Sequence, residues 1–414
     1  MSWAESLRPF REHNFRMHYA ASLVSWLGDG LMAVALTFAV LDAGGSATDV
    51  GLVLAAKSVG LLVTLAFGGV IGDRLPRRAV MVAADLARVA GQGAVAVSVL
   101  TGHIALWQFV AAQLVHGAAT ALFNPASSGM VPQVVPAELY QQANALRGMS
   151  NSTAILAGPA LGGILVAAVG SGWALVVDAA TFAVSALFLC AIKAPPSTPK
   201  PRNGLWRDLS EGWTEFRSRP WLWLLVLYAS LSNMLFAAFL VLGPTLAHGE
   251  DGGPQSWGLV LSAFGLGSIL GGVVALRAHP HRPLFFAVLA SGAFALPPLG
   301  LAAGVPHPVL LALALVGGVG LAVFNIAWKT TVQHQVPSSA LSRVSAYEGI
   351  ALNACQPIGQ ATAGPAAALL GVLPLLWLAG AVQVVTIVGM ALAPSIRAVT
   401  APAPEEVSPA ARSR

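Results

Sequence analysis

The sequence predicts an all-α polytopic membrane protein with twelve transmembrane helices in two pseudo-symmetric six-helix bundles and both termini in the cytoplasm. Three observations predict this fold: the composition, the placement of arginine and lysine, and an internal repeat. Of the 414 residues, 56% are hydrophobic and only 9% are charged, whereas soluble proteins carry about 25% charged residues. Residues 89–137, 283–328 and 349–396 contain no Asp, Glu, Lys or Arg, and each stretch is long enough for two membrane helices.

The twelve spans follow from the length of the apolar stretches, because a helix needs about 20 apolar residues to cross a bilayer. All of them are expected to be helical, since lipid offers backbone groups no hydrogen-bond partner. The predicted spans cover residues 15–41, 48–72, 79–100, 105–128, 143–169, 172–192, 221–243, 255–276, 283–303, 308–329, 345–370 and 373–396.

The basic residues set the orientation. With a cytoplasmic N-terminus, all but one of the 22 Lys and Arg lie on the inner side, and the exception is Lys57. The outer loops carry Asp42, Asp49, Glu250 and Asp251 but no Lys or Arg, as the positive-inside rule requires. The net charge of +5 is therefore a signal of topology, and no nucleic-acid partner is expected. We expect a multi-pass protein of the plasma membrane, in bacteria the inner membrane.

Four regions are expected along the chain. Residues 1–192 form the first bundle, 193–220 a cytoplasmic linker, 221–397 the second bundle and 398–414 a disordered Ala/Pro/Ser-rich tail. Residues 1–14 are polar and the first apolar run is long, so we expect no cleavable signal peptide. Cys190 and Cys355 lie inside spans, so no disulfide framework is implied.

The linker contains a short amphipathic pattern. Trp206, Leu209, Trp213 and Phe216 share one helical face, with arginines nearby. This pattern predicts a helix that lies on the inner leaflet. The alternative is a helix packed on the protein's own cytoplasmic face.

The two halves repeat each other at a constant offset of 201 residues. Phe123-Asn124 matches Phe324-Asn325 within similar stretches at 122–150 and 323–351. Further matches are Val135-Pro136 with Val336-Pro337, Gly148 with Gly349, Gly158 with Gly359 and Gly163 with Gly364. The repeat predicts two parallel halves, and in such folds ligands bind between the halves near the middle of the bilayer.

Two charged residues are expected deep in the membrane. Asp29 lies about 18 Å and Lys57 about 14 Å below the outer ends of their helices, at about 1.5 Å per residue. The matching depths predict an ion pair. In one hypothesis Asp29 takes a proton or cationic substrate while releasing Lys57, which would couple protonation to conformation. The alternative is a fixed structural pair between neighbouring helices.

A second group of charges follows span 2, in the segment GGVIGDRLPRR at 68–78. Asp85 and Arg88 are three residues apart and so share a face of span 3. One hypothesis is a cytoplasmic gate in which Asp73 pairs across helix ends when the inner side is closed. The alternative is positive-inside anchoring with helix capping. The candidate gate residues are Gly69, Asp73, Arg74, Arg77, Arg78, Asp85 and Arg88. The second-half copy, GGVVALR, has Leu276 in place of Asp73, so any such gate is asymmetric.

Small and polar residues complete the candidates. Gly158, Pro159, Gly162 and Gly163 in span 5 allow either a hinge or ordinary close packing. Polar side chains within spans could line a cavity or hydrogen-bond to neighbouring helices. These candidates are Gln113 and His116 in span 4, Asn233 in span 7, and Asn353, Gln356 and Gln360 in span 11. The roles of Asp178, in the outer half of span 6, and Glu348, near the inner end of span 11, are left open, and one interpretation is that either is a structural partner of nearby polar groups.

The combination of twelve spans, parallel halves, a central linker and the Gly69-x-x-x-Asp73-Arg74-x-x-Arg77-Arg78 loop resembles the major facilitator superfamily. Gly158-Pro159-x-x-Gly162-Gly163 resembles its antiporter motif. Gly28-Asp29, Asn124-Pro125 and the stretch at 143–147 resemble the branch that contains enterobactin and macrolide exporters. The resemblance covers the whole chain and implies a transporter. Pro76 departs from it, since it replaces the usual glycine of the loop.

The sequence lacks the motifs of several enzyme classes. It contains no GxxxxGK[ST], HExxH or GxSxG, so we expect neither an enzyme nor a direct ATP drive, and no cofactor or metal. The remaining interpretation is secondary transport: proton-coupled efflux of an apolar or amphipathic small molecule, such as a drug, antibiotic or siderophore, by a monomer in the lipid bilayer. The alternatives are an importer of a lipid-like or other small solute and a non-transporting sensor or scaffold.

Overall fold

The computed structural model describes residues 7–72, 75–193, 217, 219–248, 253–278, 280–336, 348–349 and 351–400, with backbone alone for 66–72. Asp73 and Arg74, the amphipathic segment of the linker and residues 401–414 lie outside the described residues. The predictions about them therefore remain predictions.

Twelve helices follow the predicted spans in the described part of the chain. The first half contains α1 (His13–Asp42), α2 (Ala47–Gly72), α3 (Arg77–Leu100), α4 (Leu106–Val134), α5 (Tyr140–Val169) and α6 (Ser171–Cys190). The second half contains α7 (Pro220–Ala247), α8 (Gly253–Arg277), α9 (Pro283–Ala302), α10 (His307–Gln335), α11 (Gln356–Leu370) and α12 (Val372–Leu392). All except α11 are long and apolar enough to cross a membrane.

Two spans are less regular than predicted. Span 11 was expected to be one helix over 345–370, but the described helical stretch at 351–354 is interrupted at Cys355 before α11 begins. Pro357 lies in the first turn of α11, and a proline there cannot continue the hydrogen bonding of the preceding turn. Similarly, α9 contains a 3-10 turn at Gly292–Ala295, just before Pro297 and Pro298.

The internal repeat is visible in the helix boundaries. Adding 201 to the bounds of α4 gives the bounds of α10, and the same offset relates the starts of α6 and α12. Gly170 after α5 and Gly371 after α11 are also repeat partners, and both have positive φ angles, 86° and 90°. Glycine is favoured there because it adopts this conformation without steric cost. The repeat in the sequence thus encodes two copies of one helical unit.

Three hydrophobic cores hold the helices together. One core lies in the outer half of the membrane and joins both bundles, with Phe38 and Leu175 from the first half packed in the same cluster as Phe239 and Trp257 from the second. On the inner side there are two separate cores, one around Phe123 in the first bundle and one around Phe324 in the second. The bundles are therefore fused on the outer side and independent on the inner side.

Two helix pairs make the outer junction: α5 with α8, and α2 with α11. Glycines let the backbones approach, since a Cβ at Gly163 would meet the backbone of Pro254 and one at Gly364 would meet the backbone of Thr48. Ser58 also donates a hydrogen bond to Gln360 Oε1 across the halves, at 2.8 Å. With the termini in the cytoplasm, this arrangement is an inward-facing conformation.

Candidate functional site

Asp29 lies at the centre of a charged site in the first bundle. Its Oδ1 atom is 2.7 Å from His116 Nε2 on α4 and 3.9 Å from Lys57 Nζ on α2. The predicted pairing with Lys57 is therefore present, and His116 is joined to it. The Asp29 side chain is 23% exposed and that of Lys57 27%, whereas His116 is fully buried. Asp29 therefore contacts the buried His116 while part of its own side chain remains exposed.

The glycines on either side position Asp29. A Cβ at Gly28 would meet Thr181 and Asp178 on α6, and one at Gly30 would meet the backbone of α5 near Gly158. The Gly-Asp-Gly sequence therefore allows α1 to touch two helices at the level of its acidic residue. This close packing fixes the depth at which Asp29 meets its partners.

A second ion pair lies behind Asp29. Arg88 Nη1 is 3.3 Å from Asp85 Oδ1, and both side chains are at most 1% exposed. Arg88 also donates to Ser25 Oγ at 3.1 Å and to Thr120 Oγ1 at 3.0 Å. Ser185 Oγ donates to the other Asp85 oxygen at 2.6 Å. A buried ion pair requires such additional hydrogen bonds to offset its desolvation.

Aromatic rings enclose the Arg88 guanidinium. It lies 5.1 Å from the ring centre of Phe123 and 5.0 Å from that of Phe182. Phe182 also makes an edge contact with His116, with ring centres 5.6 Å apart. The rings therefore separate the cation from lipid and link the two ion pairs into one cluster.

Asp178 on α6 is a member of this cluster whose role the sequence left open and which was not among the candidate site residues. Its side chain is fully buried, and neither carboxyl oxygen has a hydrogen-bond partner among the described residues. It interacts electrostatically with Asp29, Lys57 and Arg88. A carboxyl group within a predicted membrane span was a sufficient signal to include it among the functional candidates.

Among the described residues, each bundle has a cavity lined by its own helices. The one in the first bundle has a volume of about 580 Å³, and its wall includes Asp29, Asn124 and Arg147. The one in the second bundle has a volume of about 460 Å³ and is lined by the aromatic residues Tyr228, Phe294, Phe324 and Trp328, by the polar residues Ser232, Asn233, Asn325 and Gln333, and by Lys329 and Glu348. Both walls thus carry charged and amide side chains, and the second is distinguished by its cluster of aromatic rings.

The candidate gate residues separate into two places. Asp85 and Arg88 belong to the buried cluster around Asp29 and not to the loop. Arg77 packs against Gly129 on α4, and Arg78 donates to the carbonyl of Cys190, the last residue of α6, at 2.7 Å. A cation at a helix C-terminus stabilises the carbonyl groups there, as the anchoring alternative expects. Gly69 lies within α2.

The span 5 glycines lie where three helices meet. Gly158 and Gly162 pack against the α1 backbone at Gly30 and Leu31. On α8, Gly258 packs against Gly163 and the carbonyl of Pro159, and α5 continues through this proline as one helix. The motif therefore permits close contact both within the first bundle and across the outer junction.

The remaining polar candidates are not gathered in one place. Gln113 is buried, 3.7 Å from Met32 Sδ, and Asn233 lines the second cavity while donating to the Leu352 carbonyl. Asn353 donates to the Gly349 carbonyl within its own turn, and Gln360 lies in the outer junction. The interruption at Cys355 separates Asn353 from Gln356 and Gln360, so these three do not form the continuous polar face that their spacing predicted.

The two bundles are related by a repeat. They are joined on one side of the membrane and open on the other around a charged cavity, and this is the architecture of a membrane transporter. The sequence profile of the Major Facilitator Superfamily matches residues 19–359, and the chain belongs to this family. It is therefore a transporter rather than an enzyme, and a multi-pass protein of the bacterial inner membrane.

Among its relatives are proteins named Enterobactin exporter EntS. Those of Shigella boydii serotype 18 and Escherichia coli O127:H6 are each 28% identical over 349 residues, which is 83% of this chain and 83% of theirs. The fold is similar to that of the nucleoside transporter NupG, with a TM-score of 0.75 and 13% identity over 91% of this chain and 98% of that one. It is also similar to a bacterial homolog of the human lysosomal transporter Spinster in an inward-facing, unoccupied conformation, with a TM-score of 0.69 and 13% identity over 93% and 96%.

Proposed function

We propose that this protein is a proton-coupled exporter of an apolar or amphipathic small molecule that works by alternating access. The observation that carries this proposal is the charge balance of the buried cluster. Three carboxyl groups, on Asp29, Asp85 and Asp178, share a membrane-embedded site with two basic side chains, Lys57 and Arg88, both counted here as cations. With neutral His116, one bound proton makes the set neutral, and uncompensated charge is costly at this depth.

Asp29 is the group in this cluster best placed to exchange that proton with water. It is partly exposed to the inner cavity and touches both His116 and Lys57. In the inward-facing state, an ionised Asp29 is stabilised by these partners and has released its proton to the cytoplasm. Protonation from the outer side would weaken the pair with Lys57 and favour return to this state. Such a cycle couples proton entry to movement of the halves.

The second cavity supports the choice of substrate. Tyr228, Phe324 and Trp328 are packed edge to face, with ring centres 5.8 and 5.3 Å apart, and they form an apolar wall. Asn233 and Asn325 add hydrogen-bonding groups to the same cavity. Apolar walls with a few polar groups suit an amphipathic or aromatic compound better than a sugar or phosphate. The resemblance to relatives named enterobactin exporters supports the inclusion of a siderophore among the substrates to be tested.

The test is transport by the purified protein in proteoliposomes with an imposed pH gradient. The compounds are a siderophore, a macrolide and a hydrophobic dye. We expect wild type to move at least one of them against its gradient, in exchange for protons. Asp29→Asn should abolish pH-driven accumulation but keep substrate exchange at equal concentrations, because the binding cavities remain. Asp49→Asn is the matched control. Asp49 is an acidic residue at the outer end of α2, and its carboxylate accepts hydrogen bonds from the backbone N–H and the hydroxyl of Ser46.

Three results would each overturn part of the proposal. Undiminished pH-driven transport by Asp29→Asn would remove Asp29 from proton coupling. Movement of the compound in the same direction as protons would replace efflux by import. Binding without transport of any compound would favour the sensor alternative.

A further inference from the structure

The internal repeat pairs residues that face each other across the centre of the protein. Parallel repeats are related by an axis along the membrane normal, so repeat partners lie at the same depth on opposite sides of that axis. Asn124 and Ser128 line the first cavity, and their partners Asn325 and Lys329 line the second. The two cavities are therefore two copies of one surface, held apart on the inner side.

Arg147 differs in the sign of its charge from its repeat partner. It lines the first cavity near the start of α5, and its partner at the offset of 201 is Glu348, which lines the second cavity. Opposite charges thus occupy equivalent positions in the two halves. By symmetry, these are side chains that approach each other when the inner halves close.

Arg147 has no carboxylate partner among the described residues. Its guanidinium lies over the Trp26 ring at 5.7 Å and donates to Ser127 Oγ at 3.1 Å. Its Nε atom is buried and has no hydrogen-bond partner in the described part of the chain. A half-buried guanidinium with spare donors is suited to bind a carboxylate in two-pronged geometry.

Glu348 has a cationic neighbour in its own half. It lies within electrostatic range of Lys329, one turn from Asn325 on α10. In the inward-facing state Glu348 therefore has a cationic neighbour within its own bundle, while Arg147 on the opposite wall has no carboxylate partner among the described residues. Closure of the inner side would bring the Glu348 carboxylate between Lys329 and Arg147.

We propose that Arg147 and Glu348 form an ion pair across the two halves and hold the cytoplasmic side closed in the outward-facing state. This proposal rests on alternation between the two states, which is part of the proposed function, but on no particular substrate or coupling ion. Its test therefore needs no transported compound, and it can fail while transport is confirmed.

The first experiment is cysteine cross-linking in membrane vesicles. Arg147→Cys and Glu348→Cys are combined in a chain whose own cysteines, Cys190 and Cys355, are replaced by serine. A disulfide requires Cα atoms within about 7 Å, so oxidation should link this pair only when the inner side closes. The control pair is Met149→Cys with Ile326→Cys, since these two side chains are 62% and 40% exposed and line neither of the two cavities. Cross-linking no greater than the control would overturn the proposal.

The second experiment reverses the charges. Ser58→Cys, which faces Gln360 in the outer junction, is labelled from outside with a membrane-impermeant maleimide and so reports the outward-facing population. Arg147→Glu or Glu348→Arg should each lower the labelling rate about 3- to 10-fold, because like charges then meet on closure. The swap of both should restore most of the rate.

A matched control separates position from charge. Arg282→Glu makes the same reversal on an exposed residue before α9, away from the two cavities, and should leave labelling unchanged. An equal effect of Arg282→Glu, or a swap no better than the single variants, would show that Arg147 and Glu348 do not meet.

Discussion

Replacement of Arg88 tests whether the buried cluster is held by complementary charge. Arg88→Gln removes the cation but leaves Asp85 buried, with hydrogen bonds from Ser25 and Ser185 only. Removal of one member of a buried ion pair costs about 3–5 kcal/mol of the free energy of unfolding. The loss of the two ring contacts at 5.0 and 5.1 Å adds about 1 kcal/mol.

The double variant Asp85→Asn with Arg88→Gln separates charge from packing. Both charges are then absent, so the penalty of the stranded carboxylate disappears and about 2–3 kcal/mol should return. Arg147→Gln is the matched control, because it removes an arginine from a half-buried position that has no carboxylate partner in the described residues. It should cost about 1 kcal/mol.

The assay is thermal unfolding of the purified variants in detergent, followed by tryptophan fluorescence. At about 2 °C per kcal/mol, Arg88→Gln should lower Tm by about 10 °C, the double variant by about half as much and Arg147→Gln by about 2 °C. If Arg88→Gln were no less stable than Arg147→Gln, or if the double variant were the least stable, the pair would not be held by complementary charge.

Two further predictions concern the junctions between elements. Gly163→Val places a branched side chain against the α8 backbone at Pro254, so it should force the outer junction apart and raise the labelling of Ser58→Cys from outside several-fold. The control is Gly93→Val, because a Cβ at Gly93 meets no atom within 4 Å. Equal labelling of the two variants would refute the close contact at Gly163. Arg78→Ala removes the donor to the Cys190 carbonyl and should lower the free energy of unfolding by about 1 kcal/mol. If Arg78 only anchors the helix ends, the labelling rate of Ser58→Cys should not change. A changed labelling rate with unchanged Tm would instead support the gate hypothesis.

The fold could be predicted from the sequence more completely than the site could, for a physical reason. Spans and orientation depend on the sums of many apolar and basic residues, so small errors in boundaries do not matter. The exception, span 11, was interrupted by Pro357, a local effect of one residue on backbone hydrogen bonding. Prolines within α4, α5 and α7 are tolerated, so the interruption was not evident from composition.

The site depends on side-chain direction across several helices, which spacing along one helix cannot supply. The depths of Asp29 and Lys57 predicted their pairing, because both are measured along helix axes. His116 and Asp178 join Asp29 from α4 and α6, and no periodicity within those helices relates them to α1. Asp85 and Arg88 were predicted to share a face of span 3 but were grouped with the loop charges as gate candidates, whereas their helix carries them away from the loop into the buried cluster.

The outer core has a consequence for how the protein responds to its surroundings. Apart from the Ser58–Gln360 hydrogen bond between the halves and the contact of His248 with Asp42 at the rim, the contacts described for this outer side are made by apolar side chains and glycine backbones. Salt does not screen such contacts, and hydrophobic association weakens on cooling. The closed outer side is therefore governed by temperature rather than by ionic strength, which sets it apart from any closure that depends on charge.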